Sequence, residues 1–448
     1  MPTLLQQLRY NTGPGPHFHA GDAGIGDAKP TVRAIAYYLP QFHPIKENNE
    51  WWGEGFTEWT NVTKALPQFE GHYQPHLPAD LGFYDLRLPE AIKSQAKIAR
   101  RYGIDGFCIH YYWFSGKRLL DSPLNTILEH DEIDISFCLN WANERWSRAW
   151  EDRPSGVLID QEHSERDDEA FIDSIAPALR DRRYIRIGGR PLLMVYRYEL
   201  FADPKATTDR WRALMAAKGL GEPFLVTAHI EAATQPDFDP RNHGFDAVAE
   251  FPPHKVGLPL PRGRDAFPLF DPRFRGSVRS YRDMVHCACN LAPAPFKVFR
   301  GVCMGWDNEA RKPNRGLVFY GATPGLFGRW LRHACLEAVR DPDPDARIVF
   351  INAWNEWAEG THLEPDRHFG HAYLVETASV LREVADGQAE QPDFSAAAGD
   401  GRRDRGLVAE FARRMRTKFI GLVRTLAESV AHPPENRDSQ RKIPSNDE

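Results

Sequence analysis

Long apolar runs, a disulfide framework and an excess of basic charge are all missing from this chain of 448 residues. No segment reaches the roughly 18 consecutive apolar residues that a membrane-spanning helix requires. The first residues lack the basic region, apolar core and small-residue cleavage site of a secretory signal. With a formal net charge of −6, the sequence gives no electrostatic reason to expect nucleic acid as the main partner. These absences predict a cytoplasmic protein.

Cysteine is scarce, and its spacing does not suggest a metal or redox site. Six cysteines are scattered along the chain, and only Cys287 and Cys289 lie close together, without a matching second pair. A glycine-rich phosphate loop is missing too, because no G-x-G-x-x-G follows any apolar run. The sequence therefore favours neither a zinc site at the cysteines nor a dinucleotide-binding fold, and we expect no metal and no cofactor.

Aromatic residues, in contrast, are abundant. They make up 12% of the sequence and include twelve tryptophans, while 42% hydrophobic and 26% charged residues are typical of a soluble globular protein. Several tryptophans cluster with acids and amides, as a carbohydrate-binding cleft would require: Trp51, Trp52, Trp59, Trp141, Trp146, Trp150, Trp354 and Trp357. An aromatic-rich core is the alternative, and we expect it to account for about half of them.

Short apolar runs alternate with amphipathic helical stretches from residue 31 onward. Eight runs predict strands at residues 33–38, 106–111, 135–140, 192–196, 224–228, 247–251, 298–304 and 348–353. Helical patterns lie between and after them, at 88–102, 167–179, 208–217, 280–289, 325–339 and 371–385. Strands that are apolar on both faces and joined by long crossovers imply a parallel sheet. We therefore predict an α/β protein, a (β/α)8 TIM barrel with long βα loops over residues 31–386, with a doubly wound open sheet as the alternative.

The segments outside this barrel differ from it in composition. Residues 1–30 are rich in Gly, Pro and His and predict a flexible lead-in, and residues 387–405 predict a linker. Apolar residues then recur at helical spacing over 406–432, with basic residues on the other face, before a disordered tail at 433–448. Through residues 402–430, such a basic amphipathic helix can lie on the inner face of an anionic membrane, or dock on the barrel, a sister subunit or a partner protein.

The most informative motif follows the last predicted strand. Residues 348–353 run directly into a turn that carries Glu356 and Glu359, flanked by Trp354 and Trp357. Glycosidic-bond chemistry needs such a pair, because one carboxyl protonates the leaving oxygen while the other acts as base or nucleophile. Aromatic rings beside the acids can stack on the apolar faces of sugars. The motif thus predicts a catalytic pair, and the alternative is two solvated turn residues beside core tryptophans.

Polar and aromatic residues also follow the other predicted strands. In a barrel of this kind, the carboxyl ends of the strands and the loops after them carry the catalytic and binding side chains. The residues in these positions are predicted to bind substrate: Tyr38, Gln41, His43, Trp52, Glu58, Trp59, His110, Tyr112, Trp113, Asn140, Trp141, Asn143, Glu144, Tyr196, Trp306, Asp307, Asn355 and Trp357.

Several of these residues have a structural alternative. A histidine on an apolar strand, such as His110, is more often a core residue than a catalyst, and Asp307 is in a position typical of a turn former. Glu144 can form a surface ion pair with the arginine that follows it, and Glu58 can cap or brace its loop. Glu364, which precedes a proline, is predicted to be structural.

Five sequence blocks resemble those of WbsX-type proteins. The blocks are Tyr37-Tyr38-Leu39-Pro40-Gln41-Phe42-His43, Trp52-Gly53-Glu54-Gly55-Phe56-Thr57-Glu58-Trp59, Tyr111-Tyr112-Trp113, Asn140-Trp141-Ala142-Asn143-Glu144 and Asn355-Glu356-Trp357-Ala358-Glu359-Gly360-Thr361. WbsX-type proteins carry a domain similar to glycoside hydrolase family 99, the endo-α-mannosidases, whose fold is a (β/α)8 barrel. They are usually encountered in bacterial surface-polysaccharide synthesis and are often labelled glycosyltransferases. The similarity spans about residues 31–385.

The resemblance also implies a mechanism. In the hydrolase family, the first glutamate of the E-x-x-E pair deprotonates the mannose 2-hydroxyl, which attacks its own anomeric carbon to give a 1,2-anhydro sugar. The second glutamate acts as general acid and then as general base, with net retention. By resemblance, Glu356 would be the base and Glu359 the acid/base, without metal or cofactor. A spacing of three residues allows the two carboxyls to approach within roughly 5–6 Å if the turn is helical.

Two departures from the hydrolase family affect the expected substrate. Ala358 replaces a usual histidine, and residues 229–231 retain only the first half of a His-Ile-Glu-Pro-Tyr block. The leading hypothesis is an enzyme that cleaves or transfers an α-linked, mannose-type glycan in bacterial surface-polysaccharide metabolism, such as that of O-antigen or capsule. A nucleotide-sugar-dependent glycosyltransferase is the second hypothesis, although no metal-binding D-x-D follows a strand. The third is a non-catalytic glycan-binding scaffold.

Overall fold

Eight strands form the centre of the structure, a computed structural model that describes residues 3–147, 157–161, 163–254, 261 and 267–392. The strands are β1 (Arg33–Tyr38), β2 (Ile104–Phe114), β3 (Ser136–Trp141), β4 (Arg190–Val195), β5 (Phe224–Ala228), β6 (Ala247–Ala249), β7 (Val298–Cys303) and β8 (Ile348–Asn352). Each overlaps one of the eight runs predicted from the sequence, and β1 and β5 have the predicted ends.

All eight strands are parallel and close into a barrel. Each strand pairs with its neighbours in chain order. The ring closes between β8 and β1, where Ala34 lies opposite Val349 and Ile35 opposite Phe350. In an open sheet, the first and last strands would each have an unpaired edge, whereas here β1 and β8 pair with each other. The predicted TIM barrel is therefore confirmed, and the alternative of an open doubly wound sheet is wrong.

Helices follow most of the strands. One helix, α1 (Leu4–Asn11), precedes the barrel, and the long loop after β1 contains α2 (Lys46–Trp52) and α3 (Glu58–Lys64) before α4 (Pro89–Arg101). After β2, β3 and β4 come α5 (Ser122–Glu129), α6 (Glu165–Arg180) and α7 (Pro204–Ala217). After β6, β7 and β8 come α8 (Tyr281–Cys289), α9 (Pro324–Ala338) and α10 (Ala372–Ala385). The connection after β5 contains the short 3-10 turns Glu231–Thr234 and Pro240–His243, where helical periodicity is weakest in the sequence.

The helices present apolar stripes to the barrel, as α4 illustrates. Pro89 occupies its first turn, where a backbone N–H would have no helical partner in any case. The buried residues Ile92, Gln95, Ala96 and Ala99 follow the i, i+3, i+4, i+7 spacing of one helix face. The strands are buried on one face inside the barrel and on the other beneath the helices, so they appear in the sequence as continuous apolar runs.

The N-terminal segment differs from its prediction as a flexible lead-in. Thr3 and Gln6 form a capping box that starts α1. Asn11 at its end is buried, and its amide donates to the carbonyls of His72 and Gln74, both at 2.8 Å. These contacts come from polar side chains, which hydrophobic periodicity does not reveal.

The predicted C-terminal elements lie mostly outside the described residues. The last described helix, α10, ends at Ala385, one residue before the predicted end of the barrel at residue 386. The predicted linker is described only at its start, and the amphipathic helix at 406–432 and the tail at 433–448 lie outside the described residues. Among the helices that the structure describes, none has the length and apolar character needed to cross a membrane.

Candidate active site

A cavity of about 680 Å³ opens at the carboxyl ends of the barrel strands. Side chains within or following β1, β2, β3, β4, β6, β7 and β8 line it. Clefts of roughly 300–1,000 Å³ typically hold small-molecule ligands. One wall is aromatic and includes Trp51, Tyr112 and Trp146. The ring of Trp146 meets those of Trp51 and Tyr112 edge-to-face, at centroid distances of 5.7 and 5.1 Å.

Another part of the cavity wall is formed by a hairpin directly after β8. Residues Asn355–Glu356 pair antiparallel with Thr361–His362, and a 3-10 turn, Trp357–Glu359, joins them. Side chains three residues apart lie on the same side of a 3-10 helix. Glu356 and Glu359 both line the cavity accordingly. The turn ends at Gly360, whose φ of 61° lies in the left-handed region that glycine adopts readily.

Arg311 holds the two acids together. Its Nη1 donates to Glu359 Oε1 at 2.5 Å and its Nη2 to Glu356 Oε2 at 2.9 Å. The same guanidinium contacts Glu58 Oε2, at 3.0 Å from Nε and 2.8 Å from Nη2. The Arg311 side chain is only 9% exposed and that of Glu58 is fully buried. The Arg311 guanidinium therefore forms ion pairs with three carboxylates in a largely buried site.

Burial governs the protonation of this cluster. Desolvation raises the pKa of Glu356 to about 8 and also raises the pKa of Glu359, and repulsion from Glu58 acts in the same direction on both. Arg311 opposes both shifts without cancelling them. The cluster consequently retains a proton near neutral pH, as a general acid must.

Buried hydrogen bonds fix the position of the hairpin. The Asn355 amide bonds both backbone groups of Leu39 at the end of β1, at 2.7 and 2.9 Å. Trp357 Nε1 donates to Glu364 at 2.6 Å, and Glu364 also accepts from Tyr84 and from a glutamine of α4. Asn355 and Trp357, predicted to bind substrate, instead position the turn that carries Glu356 and Glu359. Glu364 is structural in this arrangement.

Seven predicted substrate-binding residues do line the cavity: Gln41, Trp52, His110, Tyr112, Glu144, Tyr196 and Trp306. Asn140, also predicted, lies behind His110 with its amide nitrogen 3.2 Å from His110 Nδ1. Burial lowers the pKa of His110 to about 4, so its ring is neutral at the cavity surface. Gln41 donates to the Tyr112 hydroxyl at 3.2 Å.

Three predicted aromatic residues on strands face the helices instead of the cavity. Tyr38 donates to Gln95 of α4 at 2.8 Å, and Trp113 donates to Asp167 of α6 at 2.9 Å. Trp141 stacks on a phenylalanine of α6 with a centroid distance of 4.2 Å. Side chains alternate between the two faces of a strand, so each of the three follows a residue that faces the barrel interior.

The remaining predicted residues brace the loops around the cavity. Trp59 and His43 are buried within the long loop after β1. Asn143 bonds both backbone groups of the arginine that follows β4, which ties two loops together. Asp307 accepts a hydrogen bond from His72 at 2.6 Å and lines a different cavity.

Arg311 is the main residue of the site that was not predicted from the sequence. It follows the 3-10 turn Asn308–Ala310, just beyond the residues considered after β7. The available signal was indirect, because three acids collected at one barrel end need a counter-charge. Other residues of the cavity wall that were not among the predicted substrate-binding residues include Phe56, Arg197, His254 and Lys312. Trp51 and Trp146, expected in a carbohydrate-binding cleft, line the cavity.

A protein-family model and two curated proteins match the chain. Residues 34–377 match the model described as "Glycosyltransferase WbsX". Two proteins named "Uncharacterized protein WxcX", from two strains of Xanthomonas campestris pv. campestris, are each 46% identical over 352 residues. The matches cover 79% of this chain and 50% of each relative. The chain thus spans about half the length of the curated relatives it matches.

Two solved structures that align with this chain share little sequence identity with it. The GH99 endo-α-mannosidase from Bacteroides thetaiotaomicron, in complex with bis-tris-propane, is 16% identical with a TM-score of 0.49, covering 79% of this chain and 98% of that one. A "Glycoside hydrolase-like protein" is 15% identical with a TM-score of 0.49, covering 83% of this chain and 99% of that one.

Proposed function

The chain belongs to the glycosyltransferase WbsX family, and from this membership and the geometry of its cleft we propose that it is a carbohydrate-active enzyme. It cleaves or transfers an α-linked, mannose-type glycan through Glu356 and Glu359. The observation that carries this proposal is a pair of carboxyls at the start and end of one hairpin turn, bonded to one buried guanidinium and facing an aromatic cavity.

The arrangement supports a retaining mechanism. Glu356 and Glu359 bond to neighbouring nitrogens of one planar group. This favours the shorter carboxyl separation of retaining enzymes, about 5–5.5 Å, over the wider one that admits a water in inverting enzymes. The raised pKa values of both acids support a shared proton in the resting site.

The proposed steps follow the resemblance to the endo-α-mannosidases. Glu356 removes the proton of the sugar 2-hydroxyl as its oxygen attacks the anomeric carbon, and Glu359 protonates the departing glycosidic oxygen. Glu359, now ionised, then deprotonates a water or an acceptor hydroxyl that opens the 1,2-anhydro sugar. Glu356 returns its proton to the 2-oxygen. Water as the acceptor gives hydrolysis, and a sugar hydroxyl gives transfer.

A nucleotide-sugar-dependent transferase is the second candidate. The family description favours it, and so do basic side chains in the cavity wall. Lys312 lines the cavity next to Arg311 and lowers the pKa of Glu359, although less than Arg311 does, while Arg145 is exposed at the rim. These cations can take the phosphates of a nucleotide sugar.

Substitution of the acids tests the proposal. Mannose-type α-linked oligosaccharides and, separately, nucleotide sugars are titrated by calorimetry, and turnover is followed by mass spectrometry. We expect glycan binding with turnover about 10²–10⁴-fold lower in Glu359→Gln and Glu356→Gln. Glu54→Gln, an exposed glutamate on the loop after β1, is the control and should match wild type.

The other outcomes separate the hypotheses. Tight nucleotide-sugar binding, with transfer to an acceptor, would favour the glycosyltransferase. Glycan binding that is identical in wild type and in both glutamine variants, without turnover, would identify a binding scaffold. In either case the two-carboxylate proposal for glycan cleavage is overturned.

A further inference from the structure

A second cavity, of about 310 Å³, borders the catalytic hairpin outside the proposed active site. Its wall includes His76 from the loop after β1, and His362 and Asp366 from the loop after β8. All three residues are buried. No part of the proposed glycan chemistry uses them.

The three side chains converge on one point. His76 Nδ1 lies 2.9 Å from His362 Nε2, and His362 Nε2 lies 3.7 Å from Asp366 Oδ2. All three atoms lie within 4.8 Å of one another. Adjacent ligands of a tetrahedral zinc ion, with bonds of about 2.0–2.2 Å, lie about 3.3–3.6 Å apart. The two separations at His362 Nε2, 2.9 and 3.7 Å, bracket this range.

The surrounding hydrogen bonds orient two of these groups as ligands. His362 Nδ1 lies 3.0 Å from the carbonyl oxygen of Glu364, which can only accept, so Nδ1 carries the proton and Nε2 presents its lone pair. Metal-bound histidines commonly use their second nitrogen in this way. Asp366 Oδ1 accepts from the backbone amides of His368 and Phe369 at 2.9 and 2.5 Å, and Asp366 Oδ2 lies 3.7 Å from His362 Nε2.

We propose that His76, His362 and Asp366 form a binding site for a divalent transition-metal ion. Two imidazole nitrogens and one carboxylate oxygen suit zinc, iron or cobalt, whereas magnesium prefers oxygen ligands alone. Burial lowers the pKa of both histidines, that of His76 to about 4, and this keeps their rings neutral for binding. The cavity supplies space for water at the remaining coordination positions.

The ion would join two loops that are distant in sequence. His76 and His362 are 286 residues apart. His362 lies opposite Asn355 in the hairpin that carries Glu356 and Glu359, and the Trp357 ring stacks on His362 at a centroid distance of 3.7 Å. The metal would therefore stabilise the hairpin that carries Glu356 and Glu359 from the second cavity, without contacting a substrate in the first. This inference goes beyond the proposed function and does not depend on it.

Metal binding is measured on the untagged full chain. Metal content is determined by plasma mass spectrometry after purification, and chelator-stripped protein is titrated with Zn²⁺, Co²⁺ and Mg²⁺. We expect one Zn²⁺ per chain, a visible Co²⁺ absorption typical of low coordination number, and no competition from Mg²⁺. Zn²⁺ should raise the Tm of the stripped protein by several degrees.

Variants distinguish this site from adventitious binding. His76→Gln and Asp366→Asn should each weaken Zn²⁺ affinity by tenfold or more. His17→Gln is the control, because His17 lines the same cavity but is exposed and outside the cluster. The proposal is overturned if stripped wild type does not bind Zn²⁺, or if both ligand variants bind it like wild type. If a variant fails to fold, the Zn²⁺-dependent Tm of wild type still decides the question, since no rise would leave only a histidine–histidine hydrogen bond.

Discussion

At the scale of single residues, the ionisation of the cleft depends on Arg311. Three carboxylates surround its guanidinium, and none of these side chains has more than 19% exposure. Removing one member of a buried ion pair leaves the other charge without compensation, and this typically costs about 3–5 kcal/mol. Here the loss of the cation would leave three acids facing one another.

We predict that Arg311→Gln lowers the free energy of unfolding at pH 7 by about 3–5 kcal/mol, measured by urea denaturation. Arg197→Gln is the matched control, because Arg197 also lines the cavity and pairs with two glutamates, but its side chain is 22% exposed. We expect a smaller loss there, since solvent screens the pairs. Equal losses in the two variants would contradict a special role for Arg311.

Site residues that are recognisable by their chemical type and position after a strand could be predicted from the sequence. Site residues whose role depends on side-chain orientation or on partners far away in the sequence could not. Glu356 and Glu359 stand out because acids directly follow an apolar strand. Tyr112 and Trp113 were both predicted to bind substrate. Successive side chains of a strand point to opposite faces, so Tyr112 lines the cavity and Trp113 does not. Arg311 was missed because its partners are 45 to 253 residues away along the chain.

At the scale of elements, the hairpin after β8 depends on a close approach to the loop after β7. A Cβ added at Gly360 would lie 2.9 Å from the Cβ of Asp307 and 3.1 Å from its backbone N and O. The Asp307 amide also donates to the Glu359 carbonyl at 2.7 Å. Any side chain at position 360 must therefore push the turn that carries Glu356 and Glu359 away from this loop.

We predict that Gly360→Ala destabilises the protein by about 2–4 kcal/mol, from a left-handed backbone and a steric clash together. Gly26→Ala is the control, because Gly26 has a φ of 62° but no atom within 4 Å of an added Cβ. That variant should lose only the conformational part, about 1 kcal/mol. Urea denaturation of both variants measures the difference, and equal losses would show that the contact with Asp307 does not matter.

Elements with strong apolar periodicity were predictable, and short polar ones were not. All eight strands and six of the helices follow from apolar spacing. The helices α2, α3 and α5 have seven or eight residues each, too few for the pattern to be distinct. The end of β2 was placed too early because Trp113 and Phe114 were taken as loop residues, whereas they pair with Arg118 and Lys117 in a local hairpin.

At the scale of the whole molecule, closing the sheet brings the ends of strands from most of the chain to one cavity. The same closure buries carboxyl groups. Because burial destabilises the ionised form of a carboxyl, it raises the pKa of these groups. Burial raises the pKa of Glu356 to about 8, and that of Glu309 to about 7. Each of these groups binds a proton in the folded protein at a pH where the unfolded chain has lost it.

The stability of the protein should therefore fall as the pH rises from 7 to 9. Over this range the unfolded Glu356, with an ordinary pKa near 4.5, is ionised, whereas the folded one loses its proton only near pH 8. The folded state binds more protons, so the free energy of unfolding decreases with pH, by about 1 kcal/mol for this group. Buried histidines such as His110, with a lowered pKa, contribute only a small opposite change above pH 7, and this change cancels when Glu356→Gln is compared with wild type. We predict that Glu356→Gln gains in Tm relative to wild type between pH 7 and 9, while Glu54→Gln keeps a constant difference. A Tm difference between Glu356→Gln and wild type that does not change with pH would mean that Glu356 is already ionised at pH 7, and that the proton shared by the two acids resides on Glu359.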